Sequence, residues 1–170
     1  MSKEIINRVS NSNLITIDLG DYKPNQSIIE LDVKDFLFKK LVLKEKEFRA
    51  TLKEFDFSIY HGKIVALHCS TDAILPMWAF MLIASFVNPI AEVHYGTKEK
   101  TYINLFLKNI ETINPLKFQN KKVIVKGCSD ISVHESLYVA ITKKLQNHAS
   151  SLMFGEACSA VPVFKKNKGK

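Results

Sequence analysis

The three cysteines of this chain share a local pattern that suits metal chemistry. Cys69, Cys128 and Cys158 are each followed by serine, and each comes after an apolar run. If these runs are parallel strands of one sheet, all three thiols emerge at its carboxyl edge, where open α/β sheets place their ligand sites. Thiolates are soft and strongly donating ligands, so three that converge there predict a zinc or iron site.

A tetrahedral site needs a fourth ligand or an open position, which the sequence leaves unassigned. Asp72 and Asp130 follow the first two cysteines, and Glu156 precedes Cys158 on the same face of the expected strand. Asp72 and Glu156 are the preferred candidates. Three thiolates with one carboxylate would form a labile, exchangeable ligand set, although acids in loops more often cap the backbone or face solvent.

Two other interpretations stay open. Cysteine is among the most buried residue types, so the thiols can be structural parts of an interaction protein. Alternatively, Cys128 is the nucleophile of an enzyme and His134, on the first turn of the next helix, is its base. His68 points to the opposite sheet face from Cys69. The remaining histidines are interpreted as structural or solvated: His61, His94 and His148.

The elements that position these residues alternate after Lys63. Apolar runs predict strands over 63–68, 91–95, 122–126 and 151–154, and helical spacing predicts helices over 76–87, 101–113 and 133–147. Such alternation is typical of an α/β fold, here a three-layer sandwich whose four strands form one mostly parallel central sheet. The amino-terminal part is expected to add a short helix over 2–9, antiparallel strands over 14–19 and 27–38, and a surface helix over 44–55.

Composition indicates one globular α/β domain over 1–164 with a flexible Lys-rich tail over 165–170. The 170 residues carry a net charge of +7, but four of these charges are lysines in the last six positions. No basic groove with interleaved aromatic residues is visible, so nucleic acid is not an expected partner. No apolar run is long enough for a membrane span and no secretory signal is evident, which predicts a cytoplasmic protein without a membrane partner. No internal repeat is apparent.

The helix over 76–87 is apolar on every side. Met77, Trp78, Phe80 and Met81 belong to it. Such a helix is expected in the core or, if one chain does not cover it, in the interface of a homodimer. A ligand wall beside the thiols is the less favoured interpretation.

Four segments together resemble a known family. They are Ile5–Val9, Leu67–Ala79, Val125–Ser129 and Phe154–Val163. The chain is similar over essentially its whole length to the bacterial family called domain of unknown function 2480. The resemblance implies no established activity. It does imply a link to iron–sulphur cluster assembly, with assembly proteins as partners. His68 and Ala157 depart from the family pattern without touching the thiols.

Overall fold

The computed structural model describes residues 14–127 and 133–166. Over these ranges the chain is of the α/β class, as the alternation of strands and helices predicts. The strands are β1 (Leu14–Asp18), β2 (Ile28–Asp32), β3 (Ile64–His68), β4 (Glu92–Tyr95), β5 (Lys122–Lys126), β6 (Ser151–Phe154) and β7 (Val161–Lys165). The helices are α1 (Glu45–Glu54), α2 (Met77–Val87), α3 (Lys98–Glu111) and α4 (Glu135–Leu145). The helix expected over 2–9 lies outside the described residues.

The strands form two sheets, so the prediction of one central sheet is wrong. One sheet has the order β1-β5-β6-β7 and the other has the order β2-β3-β4. All pairs are parallel except β6 with β7. The expected antiparallel strands of the amino-terminal part are therefore also wrong, since β1 and β2 both pair in parallel and the antiparallel strand comes last in the chain.

Contacts divide the chain into two compact units. The continuous unit is Asn25–Asn104, and the split unit combines Met1–Pro24 with Leu105–Lys170. The continuous unit is thus inserted, in chain order, between the first strand of the split unit and the rest of it. The division does not test the single domain predicted over 1–164, which stays a prediction.

In the continuous unit, two helices cover one face of the three-stranded sheet. The surface helix expected over 44–55 is confirmed as α1, which buries Phe48 and Leu52. Helix α2 buries every fourth residue toward the same core. These side chains pack with alternate residues of β2 and β3 in one cluster, because strand side chains point to the two faces in turn.

The split unit repeats this arrangement. It too has a strand, a 3₁₀ turn, a helix, a second 3₁₀ turn, a strand, a helix and a strand, with the continuous unit inserted after the first turn. Its first helix is the part of α3 from Leu105 onward. Strand β1 pairs with β5 as β2 pairs with β3, and each first strand ends on an aspartate, Asp18 or Asp32. The expectation of no internal repeat is therefore wrong for the fold.

Small details of the two units also correspond. The amide of Gly62 donates to Ile90 O at 2.9 Å, and the amide of Asn120 donates to His148 O at the same distance. Both donors have positive φ, 69° and 58°. The buried side chains correspond at constant spacing along the chain: Phe48 with Phe106, Leu52 with Ile110, Tyr60 with Phe118, Val65 with Val123, Leu67 with Val125, Ala79 with Leu137, Ile83 with Ile141 and Val87 with Leu145.

The first residues of the Lys-rich tail belong to the fold. Lys165 ends β7 and pairs with Ser151 of β6. The Lys166 amide donates to Ser150 O at 2.9 Å, and its ammonium group donates to Asn147 O. These two residues therefore belong to the fold and not to the flexible tail expected over 165–170.

None of the helices in the two described ranges has the length and apolar character needed to cross a bilayer.

Candidate functional site

The carboxyl edge of the continuous unit is organised by Asp32. Asp32 ends β2 and its Oδ1 accepts hydrogen bonds from the amides of Lys34, at 3.0 Å, and Ser70, at 3.1 Å. Its Oδ2 lies 3.0 Å from Lys34 Nζ. One carboxylate therefore caps the turn after β2 and anchors the Cys69-Ser70 loop after β3.

These contacts shift the pKa values of Asp32 and Lys34. Burial by itself would raise the pKa of Asp32, but hydrogen bonds from the side chain and amide of Ser70 and from Lys34 outweigh it and lower the pKa to about 2. The pKa of Lys34 is raised, chiefly by its hydrogen bond to Asp32, with the charges of Asp32 and Asp35 acting in the same direction. The carboxylate and the ammonium group are both charged at neutral pH.

Cys69 is half-buried beside this anchor. Its thiol donates to Thr71 O at 3.5 Å and lies 3.4 Å from the Thr71 hydroxyl. Only a protonated thiol donates to a carbonyl, so this arrangement suits a structural cysteine. His68 Nε2 lies 3.6 Å from Glu30 Oε1, a carboxylate of the neighbouring strand β2.

Ser70 and Lys34 form a pair that sequence reasoning did not identify. Lys34 Nζ donates to Ser70 Oγ at 2.7 Å, the contact that a serine nucleophile makes with a lysine base. A lysine base needs a lowered pKa, whereas the pKa of Lys34 is raised by Asp32. The pair therefore holds the loop and does not activate the hydroxyl.

The split unit has a corresponding carboxyl edge. Asp18 ends β1, accepts from the Gly20 amide at 2.8 Å, and lies 3.2 Å from Lys126 Nζ. Lys126, at the end of β5, is also 3.9 Å from Glu156 Oε1. The hydrogen bond to Asp18 and the charges of Glu156 and Asp18 raise the pKa of Lys126, so a fixed positive charge stands where β5 ends.

Two of the predicted ligands follow neighbouring strands of this sheet. Cys158 is exposed, in the turn between β6 and β7. Cys128 lies outside the described residues, shortly after β5. The Gly155 amide donates to Val125 O at 3.0 Å, so the segments leading to the two cysteines are hydrogen-bonded to each other just before the thiols.

The other predicted ligands are distributed differently. Cys69 and Asp72 belong to the continuous unit, whereas Cys158 and Glu156 belong to the split unit. Glu156 is exposed and near Lys126, and Asp72 is exposed. Within 14–127 and 133–166, no three His, Cys, Asp or Glu side chains are grouped as metal ligands. Asp130 and Cys128 fall outside these ranges.

The predicted base His134 acts as a helix cap. Its Nδ1 accepts from the Ser136 amide at 3.2 Å and lies 2.9 Å from Ser136 Oγ. Because Nδ1 is the acceptor, a neutral His134 carries its proton on Nε2, which faces Glu135 at 3.7 Å. That tautomer leaves no free lone pair for a thiol. Helix α4 therefore begins at Glu135, two residues after the start of the helix predicted over 133–147.

Sequence reasoning missed Asp32 and Asp18 as the organisers of the two edges. A signal was present, because Ile28–Phe36 and Leu14–Tyr22 share one pattern: apolar residues around a single polar position, an aspartate, two more residues, and a second aspartate before an aromatic ring. An aspartate directly after a strand is a strong turn former.

The fold and the site define an α/β protein with two corresponding, mostly parallel sheet units. The continuous unit has one Cys-Ser pair, after β3, and the split unit has two, after β5 and after β6. A family profile described as "protein of unknown function (DUF2480)" matches residues 3–166, and the chain belongs to that family. Comparisons with curated proteins and with solved structures find no match.

Proposed function

We propose that this protein is a metal-binding accessory protein that holds zinc or iron through the thiols of Cys128 and Cys158. The observation that carries the proposal is the hydrogen bond from Gly155 to Val125. It ties together the adjacent parallel strands that lead to the two cysteines, and Cys158 is exposed to solvent. Ligand sites at the carboxyl edges of parallel strands follow the general rule for open α/β sheets.

Charged side chains stand at the same edge. Lys126 stands at the end of β5 with a raised pKa, so it remains an ammonium ion at neutral pH. Thiolates are the form of cysteine that binds soft metals. Glu156, 3.9 Å from Lys126, is a carboxylate available at the same edge.

The iron–sulphur role implied by the family resemblance belongs to this proposal. A ligand set of few thiolates with open positions suits the transfer of iron or zinc better than its permanent storage. The expected partners are then iron–sulphur assembly proteins. Cys69, hydrogen-bonded to Thr71, is the least suited of the three thiols, and its part in the site is decided by substitution.

The test measures metal on protein purified without oxygen. We expect zinc or iron to co-purify, and Cys158→Ser and Cys128→Ser each to weaken metal binding at least about tenfold in competition with a chromophoric chelator. Ser159→Ala, in the same turn as Cys158, is the matched control and should bind like the wild type. Reconstitution with iron and sulphide, followed by visible absorption, tests for a cluster.

Two outcomes would contradict the proposal: a wild-type protein that binds neither metal, or a Cys158→Ser variant with unchanged affinity. A loss confined to Cys69→Ser would move the site to the other unit. The enzyme alternative predicts that His134→Ala slows alkylation of Cys128. The cap role of His134 predicts instead a less stable helix α4 with unchanged thiol reactivity.

A further inference from the structure

Part of the four-stranded sheet lies beyond the reach of helix α4. The helix buries Leu137, Ile141 and Leu145. Strand β7 extends the sheet past β6, and its residues Val161 and Val163 are 60% and 52% exposed. A groove of about 470 Å³ lies between one flank of α4 and the strands β6 and β7.

This groove depends on β7, which has no counterpart among the described residues of the continuous unit. The corresponding helix there, α2, therefore has no further strand beside it to form a second wall. Its residues Met77 and Met81 are 72% and 71% exposed. Full burial of α2 in one chain, one of its two expected roles, is wrong for these methionines.

The pairing of β7 directs an apolar side chain into the groove. Phe154 pairs with Val161 and Leu152 pairs with Phe164, so three steps along β7 match two steps along β6. Val163 is the residue left without a partner on β6, and it lines the groove. A bulge of this kind bends the strand and re-aims a side chain, and bulges are frequent beside functional sites.

The groove has an apolar floor and an aromatic end. The floor includes Val125, Ile141 and Leu152, which are at most 3% exposed. At the carboxyl edge of the sheet, the ring of Tyr138 meets the ring of Phe154 edge-on at 5.5 Å. A mostly apolar cavity of about 300–1,000 Å³ with a few polar groups is typical of sites for small molecules.

The polar side chains of the lining are Tyr138, Thr142 and Lys143, and none of the lining residues is acidic. Lys143 follows Tyr138 by five residues, so it lies about 7.5 Å further along α4, toward the amino edge of the sheet. The groove therefore has its aromatic wall toward one end and its ammonium group toward the other.

The charges around the groove have the same polarity. Over residues 135–166 the acids are Glu135 and Glu156, which begin α4 and follow β6 at the carboxyl edge. The amino edge instead carries a group of lysines at the ends of α4 and β7: Lys143, Lys144, Lys165 and Lys166. An anion is therefore favoured at the amino end of the groove.

We propose that this groove binds a fatty acid anion, with the alkyl chain on the apolar floor and the carboxylate at Lys143. A peptide would bring a backbone donor and acceptor with every residue, whereas the lining side chains offer two hydroxyl groups and one ammonium group. An alkyl chain needs no polar partner along its length. Its single anionic group meets the one cation of the lining.

The test titrates the full chain with sodium decanoate and, separately, with decanol in a calorimeter. We expect both probes to bind the wild type. Lys143→Met should bind decanoate about three- to fivefold more weakly, as expected for an exposed ion pair, and decanol as the wild type does. Val163→Asp should lose both probes, because it places a charge beside the alkyl chain. Val161→Asp is the matched control, since Val161 is a similarly exposed residue of β7 outside the lining, and it should still bind decanol.

Circular dichroism of each variant verifies that it is folded. A wild type that does not bind decanoate would overturn the proposal, and so would a Val163→Asp variant that binds both probes normally. Equal loss of decanoate and decanol in Lys143→Met would overturn the placement of the carboxylate. A wild-type dimer that Val163→Asp dissociates, without decanoate binding, would assign the groove to a second copy of the chain. Cys158→Ser should bind decanoate like the wild type, so failure of the metal site and failure of this site are distinguishable.

Discussion

At the scale of single residues, Asp32 connects two loops that are far apart in sequence. It accepts from the amides of both Lys34 and Ser70 and pairs with the Lys34 ammonium group. The position of the Cys69-Ser70 loop thus depends on one carboxylate. Its counterpart Asp18 binds Gly20 and Lys126. The acid is thus common to both units, whereas the lysine lies in the turn after β2 in one unit and at the end of β5 in the other.

Replacing Asp32 with asparagine should lower the free energy of unfolding by about 1–3 kcal/mol at neutral pH, because three charge-assisted contacts are lost or weakened. The lowered pKa means that this stabilisation is complete above the unfolded-state pKa, about 4, and is lost as the pH falls toward about 2. Urea denaturation from pH 7 to pH 2 should show a flatter acid limb for Asp32→Asn than for the wild type.

Asp56→Asn is the control for this experiment. Asp56 caps a single turn, accepting from the Ser58 amide, and asparagine is an equally good cap. We expect Asp56→Asn to lower the free energy of unfolding by only a few tenths of a kcal/mol. An Asp32→Asn protein that is as stable as Asp56→Asn, or equally sensitive to acid as the wild type, would contradict the anchoring role.

Residue-level chemistry was only partly predictable. The sequence shows the Cys-Ser pairs and predicts the strands that precede them, but it does not predict which side chains contact them. Lys34 and Ser70 are adjacent only because β2 and β3 pair, which no local pattern reveals. The cap at His134 was missed for a different reason: histidine is not among the residue types preferred at the amino end of a helix.

At the scale of elements, local signals predicted most boundaries. The strands over 122–126 and 151–154 match β5 and β6, and the helix over 76–87 begins one residue early. The strand expected over 27–38 ends sooner, because the carboxylate of Asp32 caps a turn. Helix α3 begins at Lys98, before the expected Thr101, because charged residues at a helix start carry no apolar period to detect.

The turn before each central strand offers a test of the correspondence between the units. Gly62 and its counterpart Asn120 both have positive φ. Asparagine tolerates this conformation, whereas a β-branched residue does not. A side chain at Gly62 meets no neighbouring atom, so backbone conformation alone sets the cost. We expect Gly62→Asn to change stability by less than about 0.5 kcal/mol and Gly62→Val to cost about 1–2 kcal/mol.

Thermal or urea denaturation of both variants measures the difference. Asn120→Gly is the reciprocal control and should be close to neutral. If Gly62→Asn were as costly as Gly62→Val, the two turns would not be equivalent in conformation, and the correspondence would be limited to element order.

At the scale of the whole molecule, the sequence predicts the strands and helices but not which strands pair with each other. Strict alternation of strands and helices predicted a parallel α/β fold, which is confirmed. It could not show that β1 pairs with β5 while β2, β3 and β4 form their own sheet. The side chains of a strand indicate whether it is buried, but not which strand it pairs with. Strands β3 and β5 would be apolar in one shared sheet as well as in two separate sheets. The repeat escaped detection because corresponding positions share burial more than identity, as with Ala79 and Leu137.

The two-unit arrangement makes a quantitative prediction about the cores. Phe48 on α1 and Phe106 on α3 are corresponding side chains with 1% and 0% exposure. Truncating a buried phenylalanine to alanine removes its apolar contacts and leaves a cavity, at a cost of about 3–5 kcal/mol. If each unit depends on its own core in the same way, Phe48→Ala and Phe106→Ala should lower the free energy of unfolding by similar amounts. Leu116→Ala, at a 65% exposed position, should change it by less than about 0.5 kcal/mol. Urea denaturation gives all three values under one condition. If Phe106→Ala cost as little as Leu116→Ala, the split unit would not be stabilised by a core that corresponds to the core of the continuous unit.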